Sequence, residues 1–274
     1  MSSSQSRLPI QPIQASQSLI TRRRFALGAS ALAVGSVLRP RRGFAQAAPP
    51  VEITPPMVSD VSAYDAYIPT ACKDGPFYTY TCEFDASWAV MKTFGIDAPL
   101  DEQVAAITYD RRVEPYYQET ANGIVIYGGD ITRAYSGDYT SSFLARTTGD
   151  GFRRVFTYYG LRSTKVHDRE RIEQHLRRGR VIWIKMTVDF KDWRDATWVT
   201  PEGEQIRVVF SNDHAAIVIG YNSEVAVIRD VLGPTSTNYE RAYEYEVPWD
   251  LFLHCWGAQS YDGLAVGLHG DEDE

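Results

Sequence analysis

Apolar and polar positions give residues 82 to 268 a readable rhythm. Between Cys82 and Phe94 the apolar residues Ala86, Trp88, Ala89, Met91 and Phe94 fall at helical spacing, and Gly95 stands where a helix C-terminal glycine belongs. A second short helix is expected to start at a capping Asp101 and run to Ile107. From Tyr109 to Tyr139 the period is lost in a stretch dense in Tyr, Gly and Asp, which reads as an irregular segment forming a cleft wall or a surface insertion. Gly151–Tyr159 reads as a helix ended by Gly160, and Ser163–Val166 as a short strand. Asp168 caps an expected helix over Arg169–Arg178, stopped by Gly179. The unbroken run Val181-Ile-Trp-Ile-Lys-Met-Thr187 predicts a buried strand. Further strands are expected at Ile206–Phe210, His214–Tyr221, Glu224–Asp230 and Gly263–Leu268, with a short helix over Pro248–Cys255. Helices come early and strands late, which favours an α+β fold with a mainly antiparallel sheet.

The N-terminal 47 residues read differently. Thr21-Arg-Arg-Arg-Phe-Ala-Leu27 resembles the twin-arginine export motif. The apolar run Phe25–Leu38 that follows falls short of the ~20 residues a membrane span needs. Ala45-Gln46-Ala47 offers a small-residue cleavage site. The expected organisation is a leader over 1–47, an extended lead-in over 48–66, one domain over 67–268 and an acidic tail over 269–274. Such a leader implies a partner in the twin-arginine export machinery and a mature protein that is periplasmic or secreted.

Charge narrows the possible partners. Seven of the 28 basic residues lie in the leader and none of the 35 acidic ones does, so the mature chain carries 21 against 35, a net −14. That balance argues against nucleic acid and against a membrane partner after processing. No haem-attachment, Cys-x-x-Cys, His-Glu-x-x-His or dinucleotide-loop motif is present, and the five histidines are scattered, so neither a cofactor nor a metal is expected. Three cysteines in an oxidising compartment suggest one bridge and one free thiol. Of the pairings 72–82, 72–255 and 82–255, only 72–255 leaves Cys82 free.

Candidate chemistry centres on Cys82, His214 and Asp230. A thiol at a helix start is activated by the helix N-terminus and by a neighbouring imidazole. Read separately, each residue has a plainer role. Cys82 suits half of a bridge to Cys72, His214 a buried strand histidine, and Asp230 a strand end leading into a turn. Trp193 and Trp198 are read within a loop, where they line a substrate groove or pack in the core.

Four blocks in order carry a family resemblance. They are Thr81-Cys82-Glu83 entering a helix that ends at Phe94-Gly95; Tyr158-Tyr-Gly-Leu161, then Arg178-Gly-Arg180 and Val181-Ile-Trp-Ile184; Asp213-His-Ala-Ala-Ile-Val-Ile-Gly-Tyr221; and Ile228-Arg-Asp230. From about Tyr78 to Leu268 the chain resembles the papain-like cysteine peptidases, and within them the family related to double-glycine leader peptidases. The resemblance implies a helix carrying the Cys packed on a sheet carrying the His and Asp. It implies Cys82 as nucleophile, His214 as general base and then acid, and Asp230 as the group orienting the imidazole. The implied activity is that of an exported thiol hydrolase acting on a peptide or amide bond. Transfer of the acyl group to an amine and non-catalytic binding of a peptide or cell-wall component are the alternatives. One departure matters. The family's glutamine about six residues before the cysteine, an oxyanion donor, is here Pro76, leaving backbone N–H groups, Lys73, Tyr78 or Tyr80 as substitutes.

Overall fold

A computed structural model describes residues 60–73, 75–233 and 242–268. The expected leader over 1–47, residues 48–59 of the lead-in and the acidic tail over 269–274 lie outside the described residues.

The elements in chain order are β1 (Ala66–Tyr67), α1 (Cys82–Thr93), α2 (Leu100–Ala106), β2 (Tyr116–Thr120), β3 (Gly123–Tyr127), α3 (Gly149–Tyr158) and β4 (Arg162–Val166). They continue with α4 (Arg169–Arg177), β5 (Val181–Thr187), β6 (Asp195–Val199), β7 (Gln205–Val209), β8 (Asp213–Tyr221), β9 (Val225–Arg229), β10 (Glu244–Pro248), α5 (Trp249–Ala258) and β11 (Gly263–Gly267). The main sheet runs β10-β9-β8-β5-β11-β4, with β1 added to β8, and all its pairings are antiparallel. This is the expected α+β architecture with α1 packed on the sheet.

Helices cover both faces, which is why β5 and β8 read as continuous apolar runs instead of alternating ones. Val181 and Trp183 of β5 and Ala215, Ile217 and Ile219 of β8 pack with α1 and α3 residues such as Phe84, Val90 and Phe152. Ile182, Ile184 and Met186 of β5, with Ala216 and Val218 of β8, pack on the other side with Ile172 and Leu176 of α4 and Phe252 and Trp256 of α5. Successive residues of a strand point to opposite faces. The parity of a residue number in β5 and β8 therefore fixes which layer its side chain enters.

Several boundaries differ from expectation. Asp101 lies inside the first turn of α2, and Pro99 occupies the cap position. Ala66, the last residue of the supposed lead-in, forms a strand with Tyr67, paired with Tyr221 and Gly220 where β8 is irregular. Residues 109–139 hold the β2–β3 hairpin, which joins β6 and β7 in a second, four-stranded sheet with β3 and β6 parallel. Trp198 is fully buried on β6 and donates to the carbonyl of Gly129 at 2.8 Å, so it is core and not groove lining. Trp193 packs beside His254, their rings 5.0 Å apart. Asp168 does cap α4, accepting from the N–H of Arg171 at 2.8 Å.

Candidate functional site

Cys82 opens α1 as expected, and the loop before it is braced from within the helix. Asp85, fully buried, accepts from the N–H of Phe77 at 2.9 Å and from the Thr81 hydroxyl at 2.6 Å, and pairs with Lys73 at 3.2 Å. The Lys73 ammonium also lies 3.9 Å from the centre of the Phe77 ring. Of the substitutes for the missing glutamine, Lys73 is thus engaged with Asp85. The Tyr78 ring packs on Tyr139, and the carbonyl of Tyr80 accepts from the Tyr135 hydroxyl.

The thiol faces charge rather than imidazole. Cys82 Sγ donates to Glu83 Oε2 at 3.2 Å. Glu83 Oε1 pairs with Lys185 Nζ at 2.6 Å, and Lys185 continues to Asp213 at 3.0 Å. Asp213 also accepts from Gln259 and lies 3.8 Å from Arg146 Nε. Burial pushes the Cys82 thiol well above its ordinary pKa, and the Glu83 carboxylate adds to the shift, while Lys185 opposes it. Burial also works against the Lys185 ammonium, but Asp213 and Glu83 outweigh it and hold the lysine above its usual range. The direction is upward, opposite to the lowering that a place at a helix start suggests.

His214 and Asp230 form a separate buried knot. His214 Nε2 lies 2.9 and 3.0 Å from the two Asp230 oxygens. Asp230 also accepts from the Tyr245 hydroxyl at 3.1 Å and the N–H of Leu232 at 2.9 Å. The pairing of His214 with Met186 places the imidazole on the α4/α5 face, in step with Ala216 and Val218. Lys185, paired with Ala215, points to the α1 face, as does Asp213. The expected trio is therefore split in this structure. His214 and Asp230 come together, and Cys82 sits across the sheet from them. The cause is strand parity, since it is Asp213 and not His214 that enters the layer of α1.

All three cysteines are free thiols, so the expected single bridge is not formed. Cys255 is buried on α5 in the α4/α5 layer, whereas Cys82 packs in the α1 layer.

No protein-family model matches the chain, and no curated protein sequence matches it. A crystal structure of a Bacillus anthracis protein, provisionally described as a C39-like peptidase, superposes with a TM-score of 0.56 at 16% identity, covering 76% of this chain and 98% of that one. The chain has the C39-like peptidase fold. Within this C39-like fold, three residues around the thiol were not expected from sequence: Glu83, Lys185 and Asp213. One signal was available, because Lys185 is the single charged residue in the apolar run Val181–Thr187. A lysine buried to 4% exposure requires partners.

Proposed function

We propose that this chain is an exported C39-like scaffold that binds a peptide or cell-wall component through a thiol centre not set for hydrolysis. The observation that carries this reading is the hydrogen bond from Cys82 to Glu83, in a cluster where Lys185 joins Glu83 to Asp213 of β8. Attack on an amide needs thiolate, and departure of the amine needs a proton donor. A carboxylate beside a buried thiol disfavours the first, and a lysine held in its charged form by two carboxylates is a poor source of the second. Export rests on the twin-arginine-like motif and the small-residue site at 45–47.

A hydrolytic reading has one observation in its favour. His214 and Asp230 are already hydrogen-bonded, as the orienting half of a Cys-His-Asp site would be. It requires β8 to shift by one residue, which would turn His214 to the α1 face and Asp213 away from it.

Assaying purified protein and its Cys82→Ala and His214→Ala variants on a casein-derived peptide mixture, alongside pull-down on purified peptidoglycan, separates the two readings. Binding without Cys82-dependent cleavage is expected. Turnover that is lost in both variants would overturn the binding reading in favour of hydrolysis.

A further inference from the structure

A cleft of about 700 Å³ opens between segments 108–112 and 130–134, α3 and the turn from β6 to β7. Four arginines line it, Arg111, Arg112, Arg133 and Arg154, against three carboxylates, Asp110, Asp130 and Glu202. Four against three is a local excess of positive charge, in a chain whose net charge is −7. The volume falls in the ~300–1,000 Å³ range of ligand clefts and exceeds what a single ion fills. None of Cys82, Glu83, Lys185 and Asp213 lines it, so it is separate from the thiol cluster.

Pairing within the cleft occupies all three carboxylates. Arg112 takes two of them, meeting Asp110 at 2.7 Å and also pairing with Glu202. Asp130 accepts from the N–H and the hydroxyl of Thr132 at 3.0 and 2.6 Å, and lies 3.4 Å from Arg133 Nε. Arg111 and Arg154 are left without an ion pair among the described residues. The Arg111 guanidinium lies 5.2 Å from the centre of the Tyr109 ring, and Arg154 donates to the Thr108 hydroxyl. Both residues are exposed on the cleft wall, and one hydroxyl leaves most of the guanidinium N–H groups of Arg154 unused. Their backbone is fixed. Arg154 stands on α3, and the strand of chain leading to Arg111 is tied to Tyr135, whose carbonyl accepts from the N–H of Asp110 at 2.9 Å and whose N–H donates to Thr108 at 2.8 Å.

We infer that this cleft binds an acidic peptide segment, with one side-chain carboxylate on Arg111 and another on Arg154. A guanidinium presents a planar fork of N–H groups that matches the two oxygens of a carboxylate. The chain as a whole repels such a peptide, so attraction is confined to places where the local sign is reversed. The resident carboxylates hold the excess in the cleft to one positive charge. That suits carboxylates spaced along a peptide and works against the dense charge of a phosphate polymer. The site does not depend on whether the Cys82 thiol reacts.

Fluorescence anisotropy of the purified chain at low salt, with a labelled Gly-Glu-Gly-Glu-Gly peptide and its Gln counterpart, tests the assignment. The Glu peptide is expected to bind at least about fivefold more tightly than the Gln peptide, as two exposed charge pairs allow, and to weaken as salt is raised. The double variant Arg111→Gln, Arg154→Gln is expected to lose that preference. Arg171→Gln, on α4 and outside the cleft, and Cys82→Ala are expected to keep it. Equal affinity for the two peptides, no binding of either, or a preference that survives the double variant would each overturn the proposal. So would a preference that falls as far in Arg171→Gln, which would mean diffuse surface charge. Competition by free glutamate at the peptide's own concentration would reduce the cleft to a spot for any small anion, and stronger competition by inorganic polyphosphate would assign it to a phosphate polymer; either result overturns the peptide assignment. The peptide pair and the competitors need no variant, so the test stands even if the double variant fails to fold.

Discussion

At the scale of single residues, the chain places charge beside the Cys82 thiol, where the sequence had suggested imidazole. Glu83 raises the Cys82 thiol, and Lys185 pulls it the other way. Removing the carboxylate while keeping the lysine should therefore lower the thiol pKa. Glu83→Gln is expected to speed alkylation of Cys82 by iodoacetamide at pH 7, roughly tenfold for each pKa unit regained. Peptide mapping of the adduct over time would measure it, and an unchanged rate would show that Glu83 does not govern the thiol.

Asp262 carries a pH signature. Burial pushes its carboxyl up to about 6 from an ordinary 3.8. Between those values the folded chain holds a proton that the unfolded chain has released. Its contribution is thus most favourable below the unfolded value and falls as pH rises through 6, by about 3 kcal/mol in all. Asp262→Asn lacks this loss. Urea unfolding of both proteins at pH 4 and pH 8 should show the variant gaining on the parent with rising pH, and parallel curves would refute the assignment.

At the scale of elements, Gly220 shows how β1 is fastened. A Cβ there would lie 2.8 Å from the carbonyl oxygen of Ala66 and 3.1 Å from the Tyr67 ring. Backbone must approach backbone where β1 joins β8. Gly220→Ala is expected to cost about 1–3 kcal/mol, as overpacking does, and to speed amide hydrogen exchange at Asp65 and Ile68, which donate to Tyr221 and Ile219. Unchanged exchange at those two amides would mean that the close approach is not needed. Element reading from sequence succeeded where the period was strong. α1, α4 and β5 match almost to the residue, and the glycines at 95, 160 and 179 all take positive φ past a helix end. The hairpin was missed for a physical reason. Every residue of β2 is exposed, so no apolar alternation marks it. β6 was hidden inside a supposed loop, because only Ala196 and Trp198 of its five residues are buried and the polar Asp195 and Thr197 interrupt the apolar pattern.

At the scale of the whole molecule, the sheet separates two polar groupings that the sequence order had suggested were one. Double-mutant cycles read that separation directly. Cys82→Ser and His214→Ala are expected to add within about 0.5 kcal/mol, as sites without shared partners do, whereas His214→Ala and Asp230→Asn are expected to couple by about 1 kcal/mol or more. Chemical denaturation of the single and double variants gives both numbers. Strong coupling between Cys82 and His214 would mean that they meet.

The sequence by itself determined much of this protein. It set the order of helices and strands, the antiparallel α+β layout, the place of Cys82 at a helix start, and the neighbouring strands that bring His214 to Asp230. Those features depend on local period, caps and short connections, which neighbouring residues specify. Which face of β8 each side chain enters was decided only by tertiary structure. Ala215 to Ile219 is apolar at every position because helices cover both faces, so nothing in the run says whether odd or even residues meet α1. Pairing with β5 settles that parity. It turns Asp213 and Lys185 toward the thiol and His214 away, and so decides what chemistry surrounds Cys82.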